Sequence, residues 1–538
     1  MGLTLKSATF VLTVLLVGSA AHAQIFVVSS PLAHQVLQRD PHDRARVTVA
    51  GNYTTAANRI EARAVPHAGF SGTETDWKVI ADNYAGGDFS GTLTLSVGWY
   101  DVEVRAMNGT SVVTTRTVGE FGVGDVYVTA GQSNAANNGS VKLTPSDPRV
   151  SASNMVTWTF AADPQPYAQG ANGSPWPAFG DGVVDLYDIP VGMVSVGYTS
   201  TTVAHWLPGG QYYPRLQAAV EFLGPFGFKA ILWHQGESDA YGPTTAALYQ
   251  QRLEQIIAAS RADAGFHVPW GVAIASYGPG LAQSRIDTIA SAQQATIAAD
   301  RYAFLGANTN ELIDGYRAPD GIHMNEPGLM EHGARWAAAV DAYAFYHGPV
   351  LDYTSTDLGD GLIGYTFYID NDDELSAPYS LQIGFEAMDG ATLHQIAYNG
   401  AMQINSETMA ELADGGGSPP YDKDRDSWAF SPFGDNPVPG TNPLTGTPLS
   451  GFAQSETTYA ISCYSGAGAQ LGDGVNVAYI VSDGEVRWTG SIEREGQTFN
   501  TLGFAIHMAT LAGDYNGDGT VSGADYVVWA NNFGATAP

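Results

Sequence analysis

The sequence predicts a multidomain protein built on a three-layer α/β domain over residues 124–348. β-sandwich-like domains flank it at 24–123 and 349–509, and a short EF-hand-like calcium loop and helix follows at 510–538. Three observations lead there. At 538 residues the chain is too long for a single core, and roughly three or four domains are expected. From Gly124 strand and helix patterns alternate, which implies a parallel sheet covered by helices on both faces. On either side of that stretch the apolar pattern has period two and is punctuated by turn residues, as in small antiparallel sandwiches.

Residues 1–23 carry Lys6, an apolar stretch at 8–18 and a small-x-small site at Ala21-His22-Ala23. That order reads as a signal peptide, and the stretch is shorter than the ~20 residues a membrane span needs. Secretion is the expectation, with no later segment apolar enough to cross a bilayer. Cys463 is the single cysteine, so no intrachain disulfide can form. It lies in an alternating run, 459–464, and reads as a small buried hydrophobe.

The formal charge of -31 sets up a field that repels nucleic acid and anionic membranes and weakly disfavours polyanionic substrates. Residues 46–49, 92–97, 99–104 and 111–115 are the alternating runs of the first sandwich, separated by Gly, Asn and Asp. No catalytic cluster is visible among them.

In the α/β domain, strands are predicted at 125–129, 191–196, 229–234, 270–275 and 302–305. Helices are predicted at 213–223, 246–264, 283–299 and 327–346. Beyond a linker at 346–349, β patterns return, as in 361–369 and 475–481, with a loop-rich region from 415. A structural module is the reading for this second sandwich.

Four blocks in the α/β domain carry the polar chemistry. Gly131-Gln132-Ser133-Asn134 follows the first strand, and Gly197-Tyr198-Thr199-Ser200 follows the second. His234-Gln235-Gly236-Glu237-Ser238-Asp239 follows the third, and Asp320-Gly321-Ile322-His323 precedes the last helix. Acyl transfer needs a nucleophilic hydroxyl, a base, a group that orients the base, and donors for the oxyanion. Ser133, His323 and Asp320 are candidates for the first three. The blander reading of the last block is a polar loop with Asn325 as helix N-cap. Glu237 and Asp239 could suggest a paired-carboxylate glycosidase, but two residues apart on an irregular turn they read better as supports. His205 and His234 read as hydrogen-bonding wall residues. Trp176, Trp206 and Trp233 could stack on sugars, although buried packing is the default for Trp.

The blocks 131–134, 233–239 and 320–323 resemble the sialate O-acetylesterase and carbohydrate esterase family six branch of the SGNH hydrolases. The likeness spans 124–346, and the segment 36–40 (Val-Leu-Gln-Arg-Asp) resembles one found before the catalytic domain in some sialate O-acetylesterases. The resemblance implies an SGNH-type three-layer fold, with Ser133 as nucleophile, His323 as base and Asp320 as orienting carboxylate. It implies an oxyanion hole of the Ser133 N–H, the Gly197 N–H and the Gln235 side-chain amide, with Asn134, Glu237 and Asp239 in support. Where the family often has Gly-Gly-Thr-Ser, this chain has Gly197-Tyr198-Thr199-Ser200, so the Tyr198 N–H is an alternative donor. The implied function is removal of O-acetyl groups from carbohydrate, such as acetylated xylan or O-acetylated sialic acid, with no cofactor in the chemistry. The different-class alternative is a non-catalytic carbohydrate-binding or calcium-dependent assembly protein.

At the C-terminus, Asp514, Asn516, Asp518, Thr520, Ser522 and Asp525 fall at positions one, three, five, seven, nine and twelve of an EF-hand loop. Gly519 takes position six, and Thr520 would ligate through its carbonyl. The pattern predicts one structural Ca2+. With Asp at position twelve, the segment resembles one dockerin-like repeat, which makes a cohesin-like protein a candidate partner.

Overall fold

The computed structural model describes residues 26–343 except 42, 55–56, 225–226, 267 and 301. Further on it describes 350–370, 379–388, 391–394, 428–429, 458–464, 475–494 and 497–505. The signal peptide expected at 1–23, the side chain of Cys463 and the calcium loop expected at 514–525 lie outside the described residues. Among those residues no helix is long and apolar enough to cross a membrane.

The chain begins with β1 (Phe26–Ser30), β2 (Val36–Gln38), β3 (Arg44–Tyr53), β4 (Arg59–Pro66), β5 (Lys78–Asp82), β6 (Gly87–Ser96) and β7 (Gly98–Asn108). Strands β1, β3 and β6 form a three-stranded antiparallel sheet. Its inward residues, including Val47, Val49, Leu93 and Leu95, share one core with Ile60, Ala62, Val102 and Val104 of β4 and β7. Period-two burial on both sheets is what the alternating sequence requires.

β8 then runs unbroken from Ser111 to Gly131. Its first part pairs antiparallel with β7, and its last part enters the α/β sheet. The sequence predicts two separate strands here, 111–115 and 125–129, because Gly119, Gly122 and Gly124 interrupt the apolar pattern. Those glycines mark close approach rather than a break. A Cβ on Gly122 would stand 2.7 Å from the Pro190 side chain, and one on Gly124 2.0 Å from the Pro190 carbonyl oxygen. The expected domain edge at 123/124 thus falls inside one strand.

The α/β part adds β9 (Val150–Ser153), β10 (Trp158–Phe160), β11 (Val191–Ser195), β12 (Ala230–His234), β13 (Trp270–Ile274) and β14 (Ala303–Asn308). Its order is β10-β9-β11-β8-β12-β13-β14, parallel except for the β9–β10 pair. The helices are α1 (Trp176–Tyr187), α2 (Tyr213–Leu223), α3 (Glu237–Tyr241), α4 (Ala246–Ala264), α5 (Gln283–Ala299) and α6 (Glu326–Ala342).

Helices α2, α4 and α5 cover one face, where Leu216, Val220, Leu253, Ile256 and Ile289 pack on Val126, Val128 and Ile231. Helices α1 and α6 cover the other, where Phe179, Val183, Trp336 and Val340 pack on Tyr127, Met193 and Leu232. Strands β11, β12 and β13 are buried at every position, as parallel strands between two helical layers must be. This is the mixed α/β layering the sequence predicts. β8 lies where the sheet order changes direction, and loops at the carboxyl ends of such strands form the crevice of open α/β sheets.

Past residue 349 the described strands are antiparallel and fall into two sheets. Phe367, Phe385 and Trp488 meet between them, with ring centroids 4.7 and 5.3 Å apart. This region touches the first β sheets through Glu485, which takes hydrogen bonds from Arg46 (2.7 Å) and Lys78 (2.9 Å).

Candidate active site

The turn that carries Ser133 is built where β8 ends. Gly131 has φ +132°, and a Cβ there would lie 2.0 Å from the His234 carbonyl oxygen. Only glycine lets β8 and β12 close at this point while the chain turns over the sheet. Gly131→Ala is therefore expected to cost about 2–4 kcal/mol in urea unfolding and to lower activity with it. An unchanged midpoint would show that the β8–β12 junction can relax.

After Gly131 the chain makes a single 3₁₀ turn, Ser133–Ala135, closed by Ala135 N–H to Gln132 O (2.8 Å) and Ala136 N–H to Ser133 O (3.1 Å). Ser133 is 4% exposed at the head of this turn. Gln132, which the motif reading did not single out, uses its Oε1 to accept the Ser238 N–H (3.1 Å) at the start of α3. Asn134 Nδ2 donates to Glu237 Oε1 (2.9 Å) and to the Ile322 carbonyl (3.3 Å). One side chain thereby ties the serine turn to the block after β12 and to the loop that carries His323.

That loop is organised by Asp320. Its Oδ1 accepts the N–H groups of Ile322 and His323 (both 2.9 Å), and its Oδ2 lies 2.6 Å from His323 Nδ1. Partial burial alone would raise the Asp320 carboxyl. The bonds from His323 and the two N–H groups outweigh it and hold the group below its ordinary range. Arg317 donates to the carbonyls of Ile322, Leu312 and Thr309, pinning the loop from beneath. Asn325 caps α6 through the Gly328 N–H (3.0 Å), as the N-cap reading of this block expects.

The structure redistributes the oxyanion donors expected from sequence. Gln235 is fully buried, and its Nε2 faces Gln132 Oε1 (3.2 Å), the Thr201 carbonyl (3.0 Å) and Asp239 Oδ2 (2.7 Å). An amide nitrogen has two hydrogens, so Gln235 serves the scaffold here and has none to spare for substrate. Tyr198 N–H donates to the Gly131 carbonyl (2.9 Å), which removes it as the alternative donor. The N–H groups of Ser133 and Gly197 make no hydrogen bond among the described residues. Gly197 backs onto the serine turn, since a Cβ on it would lie 2.8 Å from Ala135 O. Asn138, also missed in the sequence, holds these two elements together by donating to Thr199 Oγ1 (2.7 Å) and the Ser133 carbonyl (3.4 Å).

The remaining candidates point inward. Asp239 accepts from the Val203 N–H (2.8 Å) and Thr244 Oγ1 (2.8 Å), and Glu237 from Asn134. His234 is buried with Nε2 2.8 Å from Thr309 Oγ1, and burial pushes its imidazole down, keeping it neutral. His205 lies exposed on its loop. Trp176, Trp206 and Trp233 are fully buried, and Trp176 Nε1 supports the serine turn at Ala135 O (2.9 Å). None of the three offers a face to a sugar. Among the described residues no cluster of His, Cys, Asp and Glu could hold a metal ion.

Residues 123–342 match the family model described as carbohydrate esterase, sialic acid-specific acetylesterase. No curated protein matches the sequence. Among solved structures, the chain is similar to a carbohydrate acetylesterase from Xanthomonas citri at 18% identity, with a TM-score of 0.37, covering 69% of this chain and 89% of that one. It is similar to a protein from Arabidopsis thaliana at 21% identity and TM-score 0.36, covering 41% and 99%. A family two carbohydrate esterase from Clostridium thermocellum in complex with cellohexaose matches at 9% identity and TM-score 0.28, covering 55% and 95%. The matched residues include Ser133, Asp320 and His323, and the protein is a carboxylic ester hydrolase.

Proposed function

We propose that this protein is a secreted serine esterase that removes O-acetyl groups from neutral polysaccharide, such as acetylated xylan, through an acyl-enzyme on Ser133. The observation that carries the reading is the 2.6 Å Asp320–His323 contact on a loop bonded to the neighbour of Ser133. A proton on Nδ1 directed at Asp320 leaves His323 Nε2 as the base. His323 Nε2 takes the Ser133 Oγ proton as Oγ bonds to the acetyl carbonyl carbon. The oxyanion meets the N–H groups of Ser133 and Gly197. The sugar oxygen leaves with the proton held on His323, and water, deprotonated by the same nitrogen, releases acetate. These steps draw on the chain's own groups, with calcium proposed as structural at 514–525.

The arginines around the site favour a neutral sugar over sialic acid. Arg215 donates to the carbonyls of Val196 and Tyr167. Arg285 donates to those of Asp239, Ala240, Gly242 and Thr244. Arg317 is spent in the same way on the His323 loop. An anionic substrate entering an acidic protein needs a cation turned toward it, and these three turn two or three of their five N–H donors onto backbone carbonyls.

Acetate release from acetylated xylan and from O-acetylated sialic acid tests the reading. At least about tenfold higher kcat/KM on xylan is expected. Preference for the sialic acid would overturn the neutral substrate. Silence on both and on an aryl acetate would favour a non-catalytic binding protein.

Asp320→Asn gives a second check, because an amide can donate to His323 Nδ1 and stabilise the wrong tautomer. The expected fall in kcat on aryl acetate is about 10²–10⁴-fold. A loss under tenfold would show that Asp320 orders the loop without orienting the base.

A further inference from the structure

The loop between β11 and α2 carries an aromatic pair that the catalytic steps do not use. Tyr198 directly follows Gly197, and its ring stacks on Tyr212 with centroids 4.1 Å apart and planes at 24°. Both rings are half-buried, while Ser200, His205, Pro208, Gly209 and Gln211 along the same loop are exposed. The pair therefore lies at the protein surface, one residue from an oxyanion N–H.

The pair is held on a rigid mount. Tyr198 N–H is fixed to Gly131, and its carbonyl accepts Thr201 Oγ1 (3.0 Å), which in turn accepts Trp206 Nε1 (2.9 Å). Tyr212 N–H donates to the His205 carbonyl (3.0 Å), and the His205 ring meets Tyr212 edge-on at 6.1 Å. Beneath, the Arg215 guanidinium lies 4.1 Å from the Tyr167 ring and 5.6 Å from the Tyr198 ring. Such anchoring means that little order remains to be imposed when a ligand arrives.

The two stacked phenols, each half-exposed, offer apolar ring area edged by hydroxyls. That chemistry fits the C–H face of a pyranose ring with equatorial hydroxyls, and it carries no charge to select an ionised sugar. Since the rings carry no charge, the ligand class is an uncharged oligosaccharide. We propose that Tyr198 and Tyr212 form a saccharide-binding platform beside the oxyanion loop, which holds the sugar chain so that its acetyl group reaches Ser133. The proposal rests on the esterase reading for its catalytic consequence, and on the ring geometry for its binding consequence.

The experiment separates the two. Binding of unacetylated xylohexaose is measured by calorimetry to the full chain carrying Ser133→Ala, alone and with Tyr212→Ala or Tyr212→Phe. Affinity is expected to fall about tenfold in the alanine variant and to be largely kept in the phenylalanine one, which retains the ring. In the Ser133 enzyme, the ratio of kcat/KM on acetylated xylo-oligosaccharide to kcat/KM on aryl acetate is expected to fall by about the same factor with Tyr212→Ala. Equal falls on both substrates, or no change in xylohexaose affinity, would overturn the platform. Absence of xylohexaose binding to the Ser133→Ala protein would also overturn it. Tyrosine-dependent binding with no acetate released from acetylated oligosaccharide would leave the platform standing and sink the polysaccharide esterase reading instead.

Discussion

Ser133→Ala is expected to lower kcat on aryl acetate and on acetylated carbohydrate by at least about 10⁴-fold, with no loss of thermal stability. The size follows from what is lost. Without Oγ no acyl-enzyme forms, and the residual rate is what oxyanion donors and binding give to direct attack by water. The fold does not depend on the hydroxyl. The turn is closed by its own backbone and held by Gln132, Asn134 and the Trp176 indole, all of which remain. Activity within tenfold of wild type would remove Ser133 as the nucleophile. A large drop in melting temperature would mean that the hydroxyl supports the fold as well.

Much of the α/β core was legible because its elements obey local rules. Helices α4 and α5 have the bounds that the apolar spacing predicts, 246–264 and 283–299. Their sequences contain no glycine or proline to obscure the period. Helix α1 was not legible. It opens with Trp176-Pro177 and contains Gly180 and Gly182, which read locally as loop. Those glycines answer a tertiary need, since a Cβ on Gly180 would stand 2.2 Å from Val150 and one on Gly182 2.8 Å from Ala337. The continuity of β8 was hidden for the same reason, by glycines that make room for Pro190.

At the site, the residues that carry charge or a reactive hydroxyl announced themselves by motif, and those that connect motifs did not. Asn138 has no signature because its partners, Thr199 and the Ser133 carbonyl, lie in different blocks. Gln235, which the resemblance implies as an oxyanion donor, is bonded into the scaffold instead. A glutamine in a polar turn is as able to serve the oxyanion as to brace Asp239, and the distances put it on Asp239 and Thr201.

The second large expectation concerns Asp125, six residues before the junction glycine of the serine turn. It is fully buried in β8 and lies between two cations from different parts of the chain. Arg39, just past β2, reaches it at 2.9 Å, and Lys229, just before β12, at 2.6 Å. Burial alone would raise the Asp125 carboxyl, but Lys229 and Arg39 overcome this and lower it to about 2. Asp125→Asn leaves Lys229 buried without its counter-charge, and breaking such a pair costs about 3–5 kcal/mol. For a unit of this size that corresponds to a fall of roughly 10 °C in the melting of the α/β part. Adding Lys229→Met should recover a good share of the loss, because the uncompensated charge goes with it.

The pH dependence has a definite sign. A carboxyl whose pKa is lower folded than unfolded stabilises above its unfolded value, and that contribution vanishes as pH falls through the folded one. The wild type should therefore lose this stabilisation between about pH 4 and pH 2, and the gap to Asp125→Asn should narrow over the same window. A variant that melts with the wild type at pH 7, or a gap that holds constant to pH 2, would show that the Arg39–Asp125–Lys229 contact does not clamp the segment after β2 to the sheet that presents Ser133.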